Sequence, residues 1–355
     1  MSRGTRDVAI VATAQRPSEA ATTLTSVEML VPVLQAALAS AGVERTDIDF
    51  WCHGSCDYMT GQPFSFVAAV DAIGAWPPIV ESHVEADGAF ALYEAWVKIQ
   101  SGEADSALVF SNGRSSAGPI ADVLAYQLDP YTEAPLGLDM HVLAALQARA
   151  CLDAGVFDEW AMAEVAARSL RSALDNPIAL VRGHADVEEL LAAPTTYAPL
   201  RGHDCPPVTD GANAVVLAAG DVARSWCERP AWIRAIDHRI DTQRLGARSL
   251  TECASAAEAG RRVRVGDDKL DVAELHAPYT HDELLLRNAL GIDAGSTTIN
   301  PSGGALTANP LMAAGLARFA EAADRVIGGG ADRALAHCAS GPCLQQNLVA
   351  ILEGD

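Results

Sequence analysis

Two rhythms alternate along the chain: short apolar runs of strand character, and longer stretches in which apolar residues recur every three to four positions. From Pro77 to Gly113 the order is an apolar run (PPIVESHV), a turn of small residues (EADGA), an amphipathic helical pattern (FALYEAWVKIQSG) and a second run (ADSALVFSNG). The same order returns from Thr297 to Gly341, as TTIN, PSGGALTANP, LMAAGLARFAEAADRVIGG and ADRALAHCASG. The pattern Gly-x-Ala-Asp-x-Ala-Leu stands at Gly102–Leu108 and again at Gly329–Leu335, and it aligns the two copies. Each copy also has an opening strand, VAIVATAQ near the start and AWIRAIDHRID after Pro230. Duplicated strand–helix–strand units predict two similar α/β halves packed against each other.

Between the copies, from Arg114 to Leu200, lies an insertion with helical patterns such as MHVLAALQARACLDAG and DEWAMAEVAARSLRSAL. A long helical excursion of this kind is expected to cover a binding site. The first half resumes with CPPVTDGANAVVLA, a turn feeding a buried strand. The expected division is residues 1–113 with 201–225 as the N-terminal half, 114–200 as the insertion, and 226–355 as the C-terminal half.

A chain of 355 residues, half of them hydrophobic, has ample material for a large core. No apolar run reaches the ~18 residues that would span a bilayer, and Met1–Arg16 lacks the basic-then-apolar pattern of a leader. A soluble cytoplasmic protein is expected. The net charge of −21 opposes binding to nucleic acid or to an anionic membrane. It also opposes a polyanionic ligand, unless the pocket mouth is locally basic or a partner supplies the basic groups. The eight cysteines are expected as buried small hydrophobes rather than disulfides. Cys52-x3-Cys56 and Cys338-x4-Cys343 are not zinc-ribbon spacings, so no metal site is expected.

Four stretches carry chemistry: Cys205–Val216 (CPPVTDGANAVV), Asn300–Gly315 (NPSGGALTANPLMAAG), Glu274–Leu284 (ELHAPYTHDEL) and Val84–Ala91. In content and order they resemble the thiolase superfamily, and within it the sterol-carrier-type lipid-transfer thiolases of actinobacteria. The resemblance implies a thiolase fold, five-layered αβαβα, built from two similar halves with a helical insertion, in a protein that is at least a dimer.

The same resemblance marks what has changed. Thiolases place a nucleophilic cysteine in a Cys-x-Ser-Gly frame at a helix start, where the thiol pKa falls. Here the frame reads Glu85-Ala86-Asp87-Gly88, so Glu85 stands in the cysteine's place. Both carboxylates also suit a helix start without any chemistry. The family histidine before a proline is replaced by Asn309, a hydrogen-bond donor for a thioester oxygen or simply a turn residue. His276 matches the histidine of the ELH segment, and Tyr279 adds a phenol nearby, in the family's Phe position. Cys338 best matches the family's second cysteine, with Cys343 as the alternative; sterol-carrier-type relatives have His-Asn where this chain has His337-Cys338. The expected catalytic set is His276, Tyr279, Asn309, Glu85 and Cys338, with Asn300, Gly303, Gly304 and Asp87 binding substrate.

With covalent catalysis dismantled, retro-aldol cleavage of a 3-hydroxyacyl-CoA fits what remains, because it needs a base and enolate donors but no nucleophile. The resemblance points to aldol lyases that shorten steroid side chains and work with an OB-fold, zinc-ribbon acyl-CoA-binding partner. It also points to a homodimer, or a heterodimer with a thiolase-like paralogue. No cofactor beyond the CoA of the substrate is implied. The alternatives are a non-catalytic subunit supporting an active paralogue, and a degenerate acyl-CoA acyltransferase or carrier.

Overall fold

A computed structural model describes residues 6–60 and 63–355; the first five residues of the leader stretch considered above lie outside it. The described residues form twelve strands: β1 (Val8–Gln15), β2 (Phe50–Gly54), β3 (Glu81–Val84), β4 (Ser106–Arg114), β5 (Thr195–Tyr197), β6 (Leu200–Arg201), β7 (Asp210–Ala219), β8 (Ala231–Ile240), β9 (Val272–Glu274), β10 (Thr298–Ile299), β11 (Arg333–Ser340) and β12 (Gln346–Glu353). β5 and β6 pair with each other, and the other ten form one sheet in the order β10-β9-β11-β12-β8-β1-β7-β4-β2-β3.

Read outward from its centre, the sheet repeats. β1-β7-β4-β2-β3 and β8-β12-β11-β9-β10 each run through two antiparallel and then two parallel pairings. The halves join through the short antiparallel pairing of Ala9 and Ile10 with Trp232 and Ala231. β7 is buried at every position, which is why its sequence from Ala214 to Ala219 reads as a continuous apolar run and not as an alternation.

Three apolar cores define five layers. The central core takes residues from the helices Gly88–Ser101 and Ala314–Ile327 together with strands of both halves, so these two helices are sandwiched between the half-sheets. Ala and Gly dominate the helix Ala314–Ile327, and small side chains permit that close approach. One outer core packs the helices Ser26–Ala41 and Ser65–Ile73 on the first half-sheet. The other packs Ala254–Arg262 and Thr280–Leu290 on the second.

The insertion carries the helices Met140–Asp153 and Glu159–Ser172 and docks on the second half, where Ala144, Ala148, Met162 and Val165 share a core with Tyr279 and Leu284. Arg168 pairs with the buried Glu283 at the same junction. The run PPIVESHV is extended only from Glu81. The two prolines ahead of it bring no N–H to a ladder, so the strand is shorter than its apolar pattern suggests. No helix among the described residues is long and apolar enough to cross a membrane.

Candidate active site

β3 leads through a tight turn into the helix Gly88–Ser101, and Asp87 is its N-cap, accepting from Ala89 N at 2.9 Å. The same carboxylate accepts from Gly315 N and Leu316 N, both at 2.9 Å, in the first turn of the helix Ala314–Ile327. One buried carboxylate therefore closes the positive ends of both central helices. The second helix comes this close because residue 315 is glycine: a Cβ there would run into Cys338 Sγ and Asp87 Oδ1.

His276 follows β9 and is buried. Ala339 N donates to its Nδ1 at 3.4 Å, and its Nε2 lies 3.3 Å from Asn309 Oδ1. With Nδ1 accepting, the proton belongs on Nε2 and is donated to the Asn309 carbonyl. Burial pushes the imidazole below its usual pKa, against the opposing pull of the Asp87 charge, so it is neutral at physiological pH. The Asn309 amide then faces away from the ring, and its Nδ2 has no protein partner among the described residues. Cys338 Sγ lies 3.8 Å from His276 Nδ1. Burial, and after it the neighbouring Asp87 charge, push this thiol far above its usual pKa, so it is a thiol and not a thiolate. The adjacent His337 bonds Asn347 Oδ1 at 2.8 Å, with Asn347 tied to Ser255 of the outer layer. Strand alternation thus gives Cys338, not His337, to the site.

A buried ionic frame holds these segments together. Arg318 Nη1 donates to Glu274 Oε2 at 2.8 Å, and Ser302 Oγ donates to the same oxygen at 2.7 Å. The strand leading to His276, the loop leading to Asn309 and the helix bonded to Asp87 are thereby tied at one point.

Asp87, His276 and Asn309 border a cavity of ≈ 1000 Å³, its open mouth included. Tyr279, Asp282, Met312 and Ala339 line it from the second half, and Leu124, Leu128, Met140 and Leu143 of the insertion close the far wall. Asp282 is buried, and burial pushes its carboxyl up to about 7. Tyr279 Oη lies 3.0 Å from Nδ1 of His141, on the insertion. Among the described residues the lining contains no Lys or Arg.

No protein-family model matches the chain. It is 26% identical to an acetyl-CoA acetyltransferase of Methanothermobacter thermautotrophicus, over 89% of this chain and 90% of that one. It is 24% identical to sterol carrier protein 2 of Gallus gallus, over 85% of this chain and 63% of that one. The solved structure of human mitochondrial 3-ketoacyl-CoA thiolase superposes with a TM-score of 0.76 at 15% identity, over 99% of both chains. The chain has the thiolase fold. A structure described as "Ltp2-ChsH2(DUF35) aldolase" superposes with a TM-score of 0.82 at 19% identity, over 98% of both chains.

Within this thiolase fold the residues singled out from the sequence fall into three groups. His276, Asn309, Cys338 and Asp87 come together, and Tyr279 shares a cavity with all of them but Cys338, which is fully buried behind it, whereas the alternative Cys343 does line the cavity. Glu85 does not join them. Its side chain is about half exposed, accepts from Asp57 N at 2.8 Å and lies 3.8 Å from His83. The turn before Asp87 directs it away from the cavity. Asn300, Gly303 and Gly304 do not border the cavity either. Asn300, at φ 44°, accepts from Leu275 N at 2.6 Å and donates to Glu283 at 3.0 Å, and the two glycines, at φ 94° and 67°, complete that buried turn. Sequence reasoning passed over Asp282, His141 and the Glu274–Arg318 pair. The first two sit inside helical patterns, and nothing local shows that they meet Tyr279.

Proposed function

We propose that the chain is a carbon–carbon lyase that cleaves a 3-hydroxyacyl-CoA by retro-aldol chemistry, with a steroid side-chain CoA as substrate. The observation that carries this reading is the state of the nucleophile's place. Glu85, which stands in the cysteine's place, is turned onto Asp57 N and away from the cavity, Asp87 at the helix start is already engaged by three backbone N–H groups, and Cys338, the thiol beside Asp87, is protonated. Acyl transfer needs a thiolate there. Retro-aldol cleavage does not.

The groups present suit each step. The Asn309 amide, with its carbonyl held by His276, donates to the thioester oxygen as enolate charge develops. The β-hydroxyl loses its proton towards Tyr279, and the Cα–Cβ bond breaks to a ketone and an enolate. Water then returns a proton to the enolate carbon. The apolar wall of the insertion suits a bulky hydrocarbon.

Among the described residues the cavity lining has no Lys or Arg to offer the CoA phosphates, and the chain carries a net charge of −21. We therefore assign their recognition to a second protein, an OB-fold acyl-CoA-binding partner with a zinc ribbon, with the chain paired to a second copy or a paralogue. The name of the aldolase structure, which joins Ltp2 to a DUF35 protein, supports this assignment.

The test is mass spectrometry of the chain purified with its partner and incubated with a steroid 3-hydroxyacyl-CoA bearing a tertiary hydroxyl, without free CoA. The expected products are a ketone and a shortened acyl-CoA. Cleavage seen only after an active thiolase-like paralogue is added overturns this reading and makes the chain a supporting subunit, which the loss of both the cysteine and the histidine also suits.

A further inference from the structure

We infer that the insertion supplies the terminal proton acceptor of the site: His141, reached through Tyr279, takes up the proton that leaves the β-hydroxyl and passes it to solvent. This rests on the retro-aldol reading and assigns its missing base.

Tyr279 is buried and borders the cavity; His141 lies behind it, half-buried, in the first turn of the helix Met140–Asp153. The Tyr279 hydroxyl is 3.0 Å from His141 Nδ1. The imidazole stacks on Tyr197 (centroids 4.8 Å apart, planes 22°) and stands nearly perpendicular to the Tyr279 ring (5.8 Å, 83°). That packing fixes the ring edge-on to the phenol, so the hydroxyl has a defined acceptor.

Tyr279 cannot be the final base. Besides His141, and His281, whose pKa burial lowers to about 3, the groups that bear on it are Cys205, Asp282, Asp139 and Cys343, none of them a cation, and burial together with these four pushes its phenol far above the usual pKa. A phenolate has nothing here to hold it. His141 has Asp139 beside it on its own helix, and burial lowers its pKa, so at neutral pH it is an uncharged acceptor.

The step balances. The substrate O–H bond breaks and its proton goes to Tyr279 Oη as the proton already on Oη moves to His141 Nδ1. The oxygen's electron pair becomes the new C=O bond, and the Cα–Cβ pair becomes the enolate. Water protonates the enolate carbon, and the imidazolium then returns its proton to solvent, so no proton is consumed overall. His141 touches no substrate; it is a positioning and proton-accepting residue acting through Tyr279.

The experiment compares His141→Phe, His141→Gln, Tyr279→Phe and the double variant His141→Phe/Tyr279→Phe, each purified with the partner and assayed on the same 3-hydroxyacyl-CoA across pH. Loss of a general base predicts kcat lower by ~10²-fold or more, with KM little changed. The double variant is no slower than either single one, because the two residues act as one unit. Gln keeps a hydrogen-bond acceptor but cannot take a proton, so it should not restore turnover, and the acid limb of the kcat/KM profile should vanish in both His141 variants. Restoration by Gln, or an unchanged rate and profile in folded His141→Phe, overturns the relay while leaving the lyase reading intact. A wild-type complex that releases no ketone overturns the lyase reading, and the relay with it.

Discussion

Gly88 and Gly315 lie at the starts of the two central helices, and each is pressed against a small polar side chain of a neighbouring strand, Ser111 in the first half and Cys338 in the second. Both pairs are related by the same offset that relates Gly102 to Gly329. The residue just before differs: Asp87 in the first half, Ala314 in the second. The second helix has no side-chain cap of its own, and its first amides are satisfied by Asp87 from across the interface. Duplication has kept the helix-on-strand packing in both halves while the polar groups have gathered at one junction. The second half contributes His276, Asn309, Cys338 and Tyr279; the first contributes one carboxylate and, through the insertion, the cavity's apolar wall.

The sharpest way to break this comparison is to treat the two junctions alike. Asp87→Ala leaves three buried amides without an acceptor and is expected to cost about 3–5 kcal/mol in urea denaturation. Ser111→Ala, at the matching strand position of the first half, is expected to cost under ~1 kcal/mol, because its hydroxyl has no hydrogen-bond partner to lose. Glu85→Ala, on the exposed side of the turn, should stay within ~0.5 kcal/mol. Equal costs at residues 87 and 111 would refute the view that one carboxylate serves both helices. Next in size, Asn309→Ala removes the donor proposed for the thioester oxygen and is expected to lower kcat by about 10²–10³-fold with the fold intact. The ketone-release assay reads this directly, and an unchanged kcat would remove Asn309 from the chemistry.

The duplicated strand–helix–strand units were legible in the sequence because spacing carries them, and the meeting of His276, Asn309 and Cys338 was implied by the resemblance of their segments to thiolase motifs. Glu85 was misread because register places a residue along the chain, whereas the direction of its side chain is set by the turn and by Asp57 N. Asn300, Gly303 and Gly304 form the most recognisable motif of the chain, yet their side-chain and backbone geometry is spent on a buried turn. His141 and Arg318 were invisible for the opposite reason: each is one polar residue in an ordinary helical pattern, and its partner lies far away in sequence.

A smaller effect sharpens the asymmetry through pH. Burial pushes the Asp282 carboxyl up to about 7, against the Tyr279 N–H bond that favours its anion. In the unfolded chain it titrates near the usual value of about 4. Between those pH values the folded state holds a proton that the unfolded state has released, so this residue erodes stability as pH rises from about 4 to about 7, and adds no further change above that. Asp324, pushed up to about 6 by burial, acts in the same direction and is present in both proteins compared. Asp282→Asn should therefore match wild type near pH 4 and exceed it in stability by pH 8. A difference that does not vary with pH would show that Asp282 is ionised in the folded protein throughout.

The smallest effect concerns the seam itself. Met312 sits at φ 73°, in the left-handed region, and its carbonyl accepts from Gly88 N at 2.9 Å, linking the loop of the second half to the helix of the first. An L-residue in that conformation costs roughly 1–2 kcal/mol, and the side chain that bears this cost borders the cavity. Met312→Ala removes the side chain but keeps the Cβ that causes the strain. Met312→Gly removes both, at a cost of ~0.5–1 kcal/mol in added freedom of the unfolded chain. The glycine variant should therefore be the more stable of the two by about 1 kcal/mol, a difference in which most of the lost side-chain packing cancels. If alanine proves the more stable, the left-handed turn is not what holds Gly88 against the second half, and the seam depends on Asp87 alone.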